Sequence, residues 1–202
     1  NRLVGAAIEP RGVAGDFDPT GGTLTLYSTT QTVHHIRRAV AAQLGMAQAQ
    51  LRVISPDMGG GFGNKGKHYP EETIVAWAAK RLGRPLKWIG QRHESFVSDT
   101  QGRDHETHAE LALDAAGNFL GLRVKTLANL GAYVSTFGAN IPSAIYSTLL
   151  AGVYKTPAIH VEITGVFTNT VPTDAYRGAG RPEACYVLER LADRAAAATG
   201  QS

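Results

Sequence analysis

The stretch Leu51–Ile89, LRVISPDMGGGFGNKGKHYPEETIVAWAAKRLGRPLKWI, decides the fold. It opens on a short apolar run, Leu51–Ile54, that reads as a strand, and closes on another, Leu86–Ile89. Between them Pro70 suits a first helical position, where the N–H it lacks would be unpaired anyway. Glu71 and Glu72 then sit at the positive end of the helix dipole. Ile74, Val75, Ala78 and Leu82 are expected to face inward, and Gly83 followed by Pro85 stops the helix. Upstream, Thr23–Ser28 alternates with Leu24 and Leu26 on one face. Val33, Ile36, Val40 and Leu44 then form a helical stripe that Thr30 or Thr32 can cap and Gly45 can end. The whole is a β-α-β-α-β unit over about residues 23–90, preceded by an extended lead-in over residues 1–22.

Downstream the character changes. Residues 91–106 are polar and irregular. Thr107–Leu113 alternates strictly, Asp114–Asn118 reads as a turn, and in the return strand Leu122 and Val124 oppose Arg123 and Lys125. That pattern is a hairpin with one wet face. Residues 129–157 are rich in Gly, Ser and Ala with little periodicity. Ile159–Phe167 reads as another strand, and a last helix runs from Pro182 through Val187, Leu188 and Leu191. Hairpin and final helix occupy about residues 107–199 of a region spanning 23–202. The expected fold class is α+β, a mixed β-sheet with helices packed on it.

Composition narrows the function. No apolar run approaches the roughly 20 residues of a membrane span. With 20 Lys and Arg against 17 Asp and Glu the net charge is +3, and the basic residues are scattered. Arg37-Arg38, Lys65-Lys67 and Lys80-Arg81 are the only clusters, and they read as solvated faces rather than a nucleic-acid stripe. The single cysteine, Cys185, excludes an internal disulfide and any Cys-built zinc or iron–sulfur site, and fits reducing surroundings. It lies near the Leu188 and Leu191 stripe and is expected to be buried. The chain starts at Asn1 and stops abruptly at Gly200-Gln201-Ser202, so it is expected to be a piece of a longer polypeptide.

Of 23 glycines, several fall in two clusters. The first, Gly59-Gly60-Gly61-Phe62-Gly63-Asn64-Lys65-Gly66-Lys67, lies between a predicted strand and a predicted helix, where backbone N–H groups can meet an anion or an oxo group. Gly61, Gly63 and Gly66 satisfy G-x-G-x-x-G, but no acid ends the next strand, as a dinucleotide fold requires. A P-loop is excluded because His68 stands where its Ser or Thr belongs. By residue chemistry alone, phosphate or cofactor binding and a purely structural turn both remain. The second cluster, Asp174-Ala175-Tyr176-Arg177-Gly178-Ala179-Gly180-Arg181-Pro182-Glu183, again precedes a helix. Its arginines suit phosphate or a polarised oxygen, or else simply pair with Asp174 and Glu183.

The two loops, in this order and behind Ser28-Thr29-Thr30-Gln31, resemble the large subunit of the molybdenum hydroxylases, the family of xanthine dehydrogenase, aldehyde oxidoreductases and aerobic carbon monoxide dehydrogenase. The resemblance runs from about Tyr27 to the last helix, through Met58–Lys65 and Ala175–Arg181. It implies a molybdenum–molybdopterin cytosine dinucleotide cofactor with no direct protein ligand to the metal. It implies that the amide of Gln31 bonds an oxygen ligand of molybdenum and that Arg177 stands at the substrate side, the two residues with catalytic roles. Gly60, Gly61, Phe62 and Gly63, with Tyr176, Arg177, Gly178 and Ala179, are the cofactor-binding residues it implies. The implied reaction is hydroxylation of a small carbonyl, aldehyde or heteroaromatic substrate with water-derived oxygen. Electrons would leave through an iron–sulfur small subunit and an FAD medium subunit. The implied setting is a cytoplasmic enzyme in which this chain, lacking the rest of the large subunit, is empty of cofactor and inactive.

Departures from the family pattern sharpen the expectation. The carbon monoxide-oxidising form carries a copper-binding cysteine where this chain has Gly178, and xanthine-type enzymes carry a purine-gripping glutamate where it has Gly66. Neither carbon monoxide nor a purine is therefore favoured. The family's general base lies far downstream, and neither Glu183 nor Glu189 occupies its motif. His34-His35 lie on different helix faces, and His105 and His108 on opposite sides of a strand, so neither pair makes a joint metal site. Trp77 and Trp88 read as packing residues. Two other readings stand beside the enzyme fragment: a dinucleotide-binding α/β domain, and a non-catalytic assembly module.

Overall fold

The computed structural model describes residues 3–201. They form two compact units, residues 4–99 and residues 100–201 with Leu3, each with its own sheet and core. In the first unit four strands, β1 (Gly12–Asp18), β2 (Thr23–Ser28), β3 (Leu51–Ile54) and β4 (Leu86–Ile89), lie in the order β3-β2-β1-β4. Strands β2 and β3 are parallel, with Leu24 beside Leu51. Strand β1 runs antiparallel to both its neighbours and sets Val13 opposite Ser28 and Trp88. It arises inside the stretch expected to be extended lead-in. Its segment carries two glycines and two aspartates, poor strand formers, and pairing on both edges supplies what local preference lacks.

Helices α1 (Val33–Leu44) and α2 (Pro70–Leu82) cover the sheet, and each ends at a left-handed glycine, Gly45 or Gly83. The core joins Leu24 and Leu26 to Ile36 and Val40 of α1 and to Val75, Ala76 and Ala79 of α2. The inward face of α2 therefore differs from the expected one, because Ile74 and Leu82 are exposed. This helix is apolar on two adjacent faces, and periodicity cannot tell which of them meets the sheet. Trp77 is likewise exposed, while Trp88 packs at the core margin. Residues 91–106, expected to be irregular, contain a short helix α3 (Arg92–Ser98), whose start is fixed by the Gln91 N–H donating to the Glu94 carboxylate at 2.6 Å.

The second unit holds β5 (His105–Leu113), β6 (Phe119–Gly131) and β7 (Ile159–Phe167), in that order, the first pair antiparallel and the second parallel. One face buries Leu122 and Val124 against Tyr146 and Leu150, with Ala184 and Leu188 of helix α4 (Arg181–Thr199). The other face is wet and carries ion pairs Arg123–Glu110 (3.2 Å) and Lys125–Glu162 (3.1 Å). Between β6 and β7 the chain forms a π-helical turn, Ile141–Tyr146, which the weak periodicity of that stretch does not announce. Cys185 is exposed, contrary to expectation: the inward stripe of α4 is Ala184 and Leu188, and the next residue is rotated about 100° away. Among the described residues no helix is long and apolar enough to cross a membrane.

Candidate functional site

The first glycine loop is built around a glutamine. Gln31 sits between β2 and α1, and its backbone N–H donates to the Lys65 carbonyl at 2.9 Å. The hydroxyl of Thr30 donates to the same carbonyl at 3.1 Å, and that of Thr32 to the Gly66 carbonyl at 2.6 Å. Thr32 is the residue at the α1 cap position, but its hydroxyl holds the loop instead of the helix end. The side-chain carbonyl of Gln31 accepts the Gly63 N–H at 2.9 Å. A backbone donor can face only an amide oxygen, so the amide NH2 of Gln31 is turned away from Gly63 and left as a donor.

The loop backbone has to fold tightly to allow this. Gly60, Phe62 and Gly63 are all left-handed, with φ of 100°, 54° and 88°. A Cβ on Gly61 would lie 2.6 Å from the Gln31 Cδ, so only glycine leaves room for the amide. Among the described residues no hydrogen bond is recorded for the N–H groups of Gly60 and Gly61. Phe62 is 43% exposed, and its ring lies back over Gly60, where an added Cβ would come 3.0 Å from the ring Cε2. A compact set of backbone donors of this kind is suited to an oxo or phosphate oxygen.

Beneath the loop lies a buried charge network. Asn64 donates to Asp99 at 2.5 Å, and the Arg11 Nε donates to the other oxygen of Asp99 at 2.8 Å. The Arg11 fork then reaches both oxygens of Glu71, at 2.9 and 3.2 Å, and its guanidinium lies 3.6 Å from the centre of the Tyr69 ring. Burial opposes the Arg11 charge, but the bonds and charges of Glu71 and Asp99 outweigh it and raise its pKa. Lys65 is buried and bonds Glu9 at 2.8 Å; the same Glu9 oxygen accepts the Gly59 N–H at 3.0 Å. Burial would raise the Glu9 pKa, yet Lys65 and Gly59 hold it below the usual range. Lys67 is buried too, so the Lys65-Lys67 cluster is interior and not the solvated face expected of it. Glu72, behind this network, accepts from Tyr69 N–H at 2.7 Å and from the Ser28 hydroxyl at 3.1 Å. Burial nevertheless pushes its pKa up to about 7.

The second glycine loop belongs to the other unit. Tyr176, Arg177, Gly178 and Ala179 form a turn closed by Ala179 N–H to the Tyr176 carbonyl (2.8 Å) and by Arg181 N–H to the Gly178 carbonyl (3.1 Å). Arg177 is exposed. The two acids that the alternative offers to the loop's arginines have other partners. Asp174 is buried and accepts the Phe137 and Ala175 N–H groups, while Glu183 faces Arg103 at 3.7 Å. Arg103 was not singled out in the sequence. Neither were Arg11, Glu9 and Asp99, which act through partners 35 or more residues away. The unit also has a cavity of about 610 Å³ between β5 and α4, lined by Arg103, His105, Tyr146, Glu183 and Tyr186 among others, none of them a predicted site residue.

A mixed sheet with an antiparallel strand at its heart, and a glycine loop folded around a side-chain amide, define a cofactor-binding α+β domain. A doubly wound dinucleotide fold would instead keep its strands parallel. The chain belongs to the molybdopterin cofactor-binding domain family, whose model matches residues 1–202. It is 38% identical over its full length to the 6-hydroxypseudooxynicotine dehydrogenase complex subunit gamma of Paenarthrobacter nicotinovorans, spanning 25% of that protein. Over 92% of its length it is 38% identical to the carbon monoxide dehydrogenase large chain of Hydrogenophaga pseudoflava, spanning 23% of that protein. It superposes on quinoline 2-oxidoreductase from Pseudomonas putida 86 with a TM-score of 0.94 at 35% identity, covering 100% of this chain and 26% of that one. The chain thus spans about a quarter of the length of the curated relatives it matches. The dinucleotide-binding reading is set aside on both fold and family.

Proposed function

We propose that this chain is the first cofactor-binding portion of the large subunit of a molybdenum hydroxylase, and that within the full-length subunit it helps to hold a molybdenum–molybdopterin cytosine dinucleotide. One observation carries the reading: Gln31 is clamped through its carbonyl by Gly63, which fixes its NH2 as an outward donor beside a glycine-rich backbone. The donors of the first loop fit an electron-rich centre, since Gln31, Gly60 and Gly61 all offer hydrogens. When bound, the molybdenum centre supplies two-electron oxidation and oxygen drawn from water.

The protein's own share is positioning. Gln31 would hold an oxygen of the group through its amide NH2, the Gly60–Gly63 backbone would line it, and Phe62 would stand beside it. Tyr176, Gly178 and Ala179 shape the loop that presents Arg177 to the substrate. Gly178 offers no thiol for a second metal, so the reading favours an aldehyde, carbonyl or nitrogen heteroaromatic substrate over carbon monoxide. An iron–sulfur small subunit and an FAD medium subunit would be its partners and would take up the electrons, in the cytoplasm.

Purification of the full-length protein from molybdate-grown cells tests this. Molybdenum stoichiometric with the large subunit, cytidine monophosphate released by acid, and co-purifying iron and FAD are expected. Tight NAD binding with no molybdenum would overturn the reading. A folded protein with neither ligand would leave it an assembly module.

A further inference from the structure

The Tyr176–Ala179 loop lies outside every strand and helix, just ahead of α4. Its holder is Arg103, just ahead of β5. Its Nη1 donates to the Tyr176 carbonyl at 2.9 Å and its Nη2 to the Arg177 carbonyl at 2.9 Å. The guanidinium also lies 5.0 Å from the centre of the Tyr176 ring, and its Nε is 3.7 Å from Glu183 in the first turn of α4. Two consecutive carbonyls are thus gripped by one rigid, planar fork, a geometry lysine cannot reproduce.

The backbone that aims this fork is unusual. Arg103 and Asp104 are both left-handed, with φ of 67° and 84°, a conformation non-glycine residues seldom adopt. Asn129 holds the turn in that state: its side chain donates to the Asp104 carboxylate at 2.6 Å and its N–H to the Asp104 carbonyl at 3.1 Å. At Gly102 a Cβ would come 2.4 Å from that of Tyr176, so only glycine allows the approach. A strained turn kept in place by its surroundings marks a position where geometry is being used.

We propose that Arg103 is a positioning residue. By fixing the carbonyls of Tyr176 and Arg177 it sets the direction in which the Arg177 side chain leaves the loop. The functional half of this inference rests on the molybdenum hydroxylase reading, in which Arg177 stands at the substrate side.

The test uses the full-length enzyme in its assembled complex, with Arg103→Met, Arg103→Lys, Arg177→Met and the double variant. Amide hydrogen exchange reads the clamp directly. Arg103→Met should speed exchange at Ala179 and Arg181 by about tenfold or more, with Val124 in β6 unchanged and Arg103→Lys in between. Turnover reads the consequence: Arg103→Met should lower kcat, Arg103→Lys should recover part of it, and the double variant should be no slower than Arg177→Met alone. Unchanged loop exchange, or losses that multiply in the double variant, would overturn the proposal. Full kcat despite a loosened loop would do so too. If Arg177→Met alone keeps full turnover with molybdenum bound, the role of Arg177 fails, while the clamp still stands or falls on exchange. Should Arg103→Met fail to fold, Arg103→Lys carries both readouts.

Discussion

Gln31 and Gly63 are 32 residues apart in sequence and 2.9 Å apart in space, joined by a backbone N–H that the glutamine oxygen accepts. That bond converts a symmetric-looking amide into a directed one, since the oxygen is consumed and the nitrogen is left to donate. The zipper formed by Thr30, Gln31 and Thr32 on the carbonyls of Lys65 and Gly66 makes the direction rigid.

Gln31→Ala in the full-length enzyme removes both the directed donor and the bond to Gly63. Turnover is expected to fall by about 10- to 100-fold with the fold intact, the usual cost of losing a group that orients a metal's ligands. Steady-state kinetics beside circular dichroism measure it, and wild-type turnover would remove Gln31 from the site.

Gly61→Ala makes a different kind of change. The added Cβ meets the far end of the Gln31 side chain at 2.6 Å, and a side-chain end can swing away at little cost. Stability should change by less than about 1 kcal/mol. Activity should fall as far as in Gln31→Ala, because the amide is displaced. A large loss of Tm with normal turnover would contradict this account.

Asp99→Ala leaves the buried Arg11 without one of its two acidic partners and Asn64 without its acceptor. A loss of about 3 kcal/mol is expected, the scale for breaking a buried ion pair from one side. Denaturant titration reads it. Asp99→Asn, which keeps the shape and part of the bonding, should lose less.

Glu72 sets a pH dependence. Its folded pKa of about 7 lies above the unfolded value of 4.5, so the folded state favours the neutral acid. Below about pH 4.5 that contribution is fully present, and it is lost as pH rises to about 7, on the order of 3 kcal/mol in all. Glu72→Gln should therefore match the wild type at pH 4 and be more stable at pH 8. Identical stability curves at both pH values would refute the assignment.

Local patterning made much of this protein legible. The alternation around Leu24 and Leu26, the α1 stripe of Ile36 and Val40, and the stops at Gly45 and Gly83 are short-range signals that depend on neighbours within one or two turns. The glycine loops were visible as well, because their composition is abnormal wherever they fold. What stayed hidden depends on distant partners. Strand β1 exists only because β2 and β4 flank it, and α2 turns its small residues inward only because β1 lies beneath them. Lys65 looked like a surface charge until Glu9 met it across 56 residues.

The sequence by itself determined the α+β class, the two loops and the residue types available to a cofactor, since backbone preference and periodicity are written in adjacent positions. Tertiary structure alone decided which end of the Gln31 amide is occupied, which charges are interior, and that Arg103 grips the Arg177 loop. Those outcomes require groups far apart in the chain to meet at hydrogen-bond distance, and a linear pattern carries no record of which pairs do.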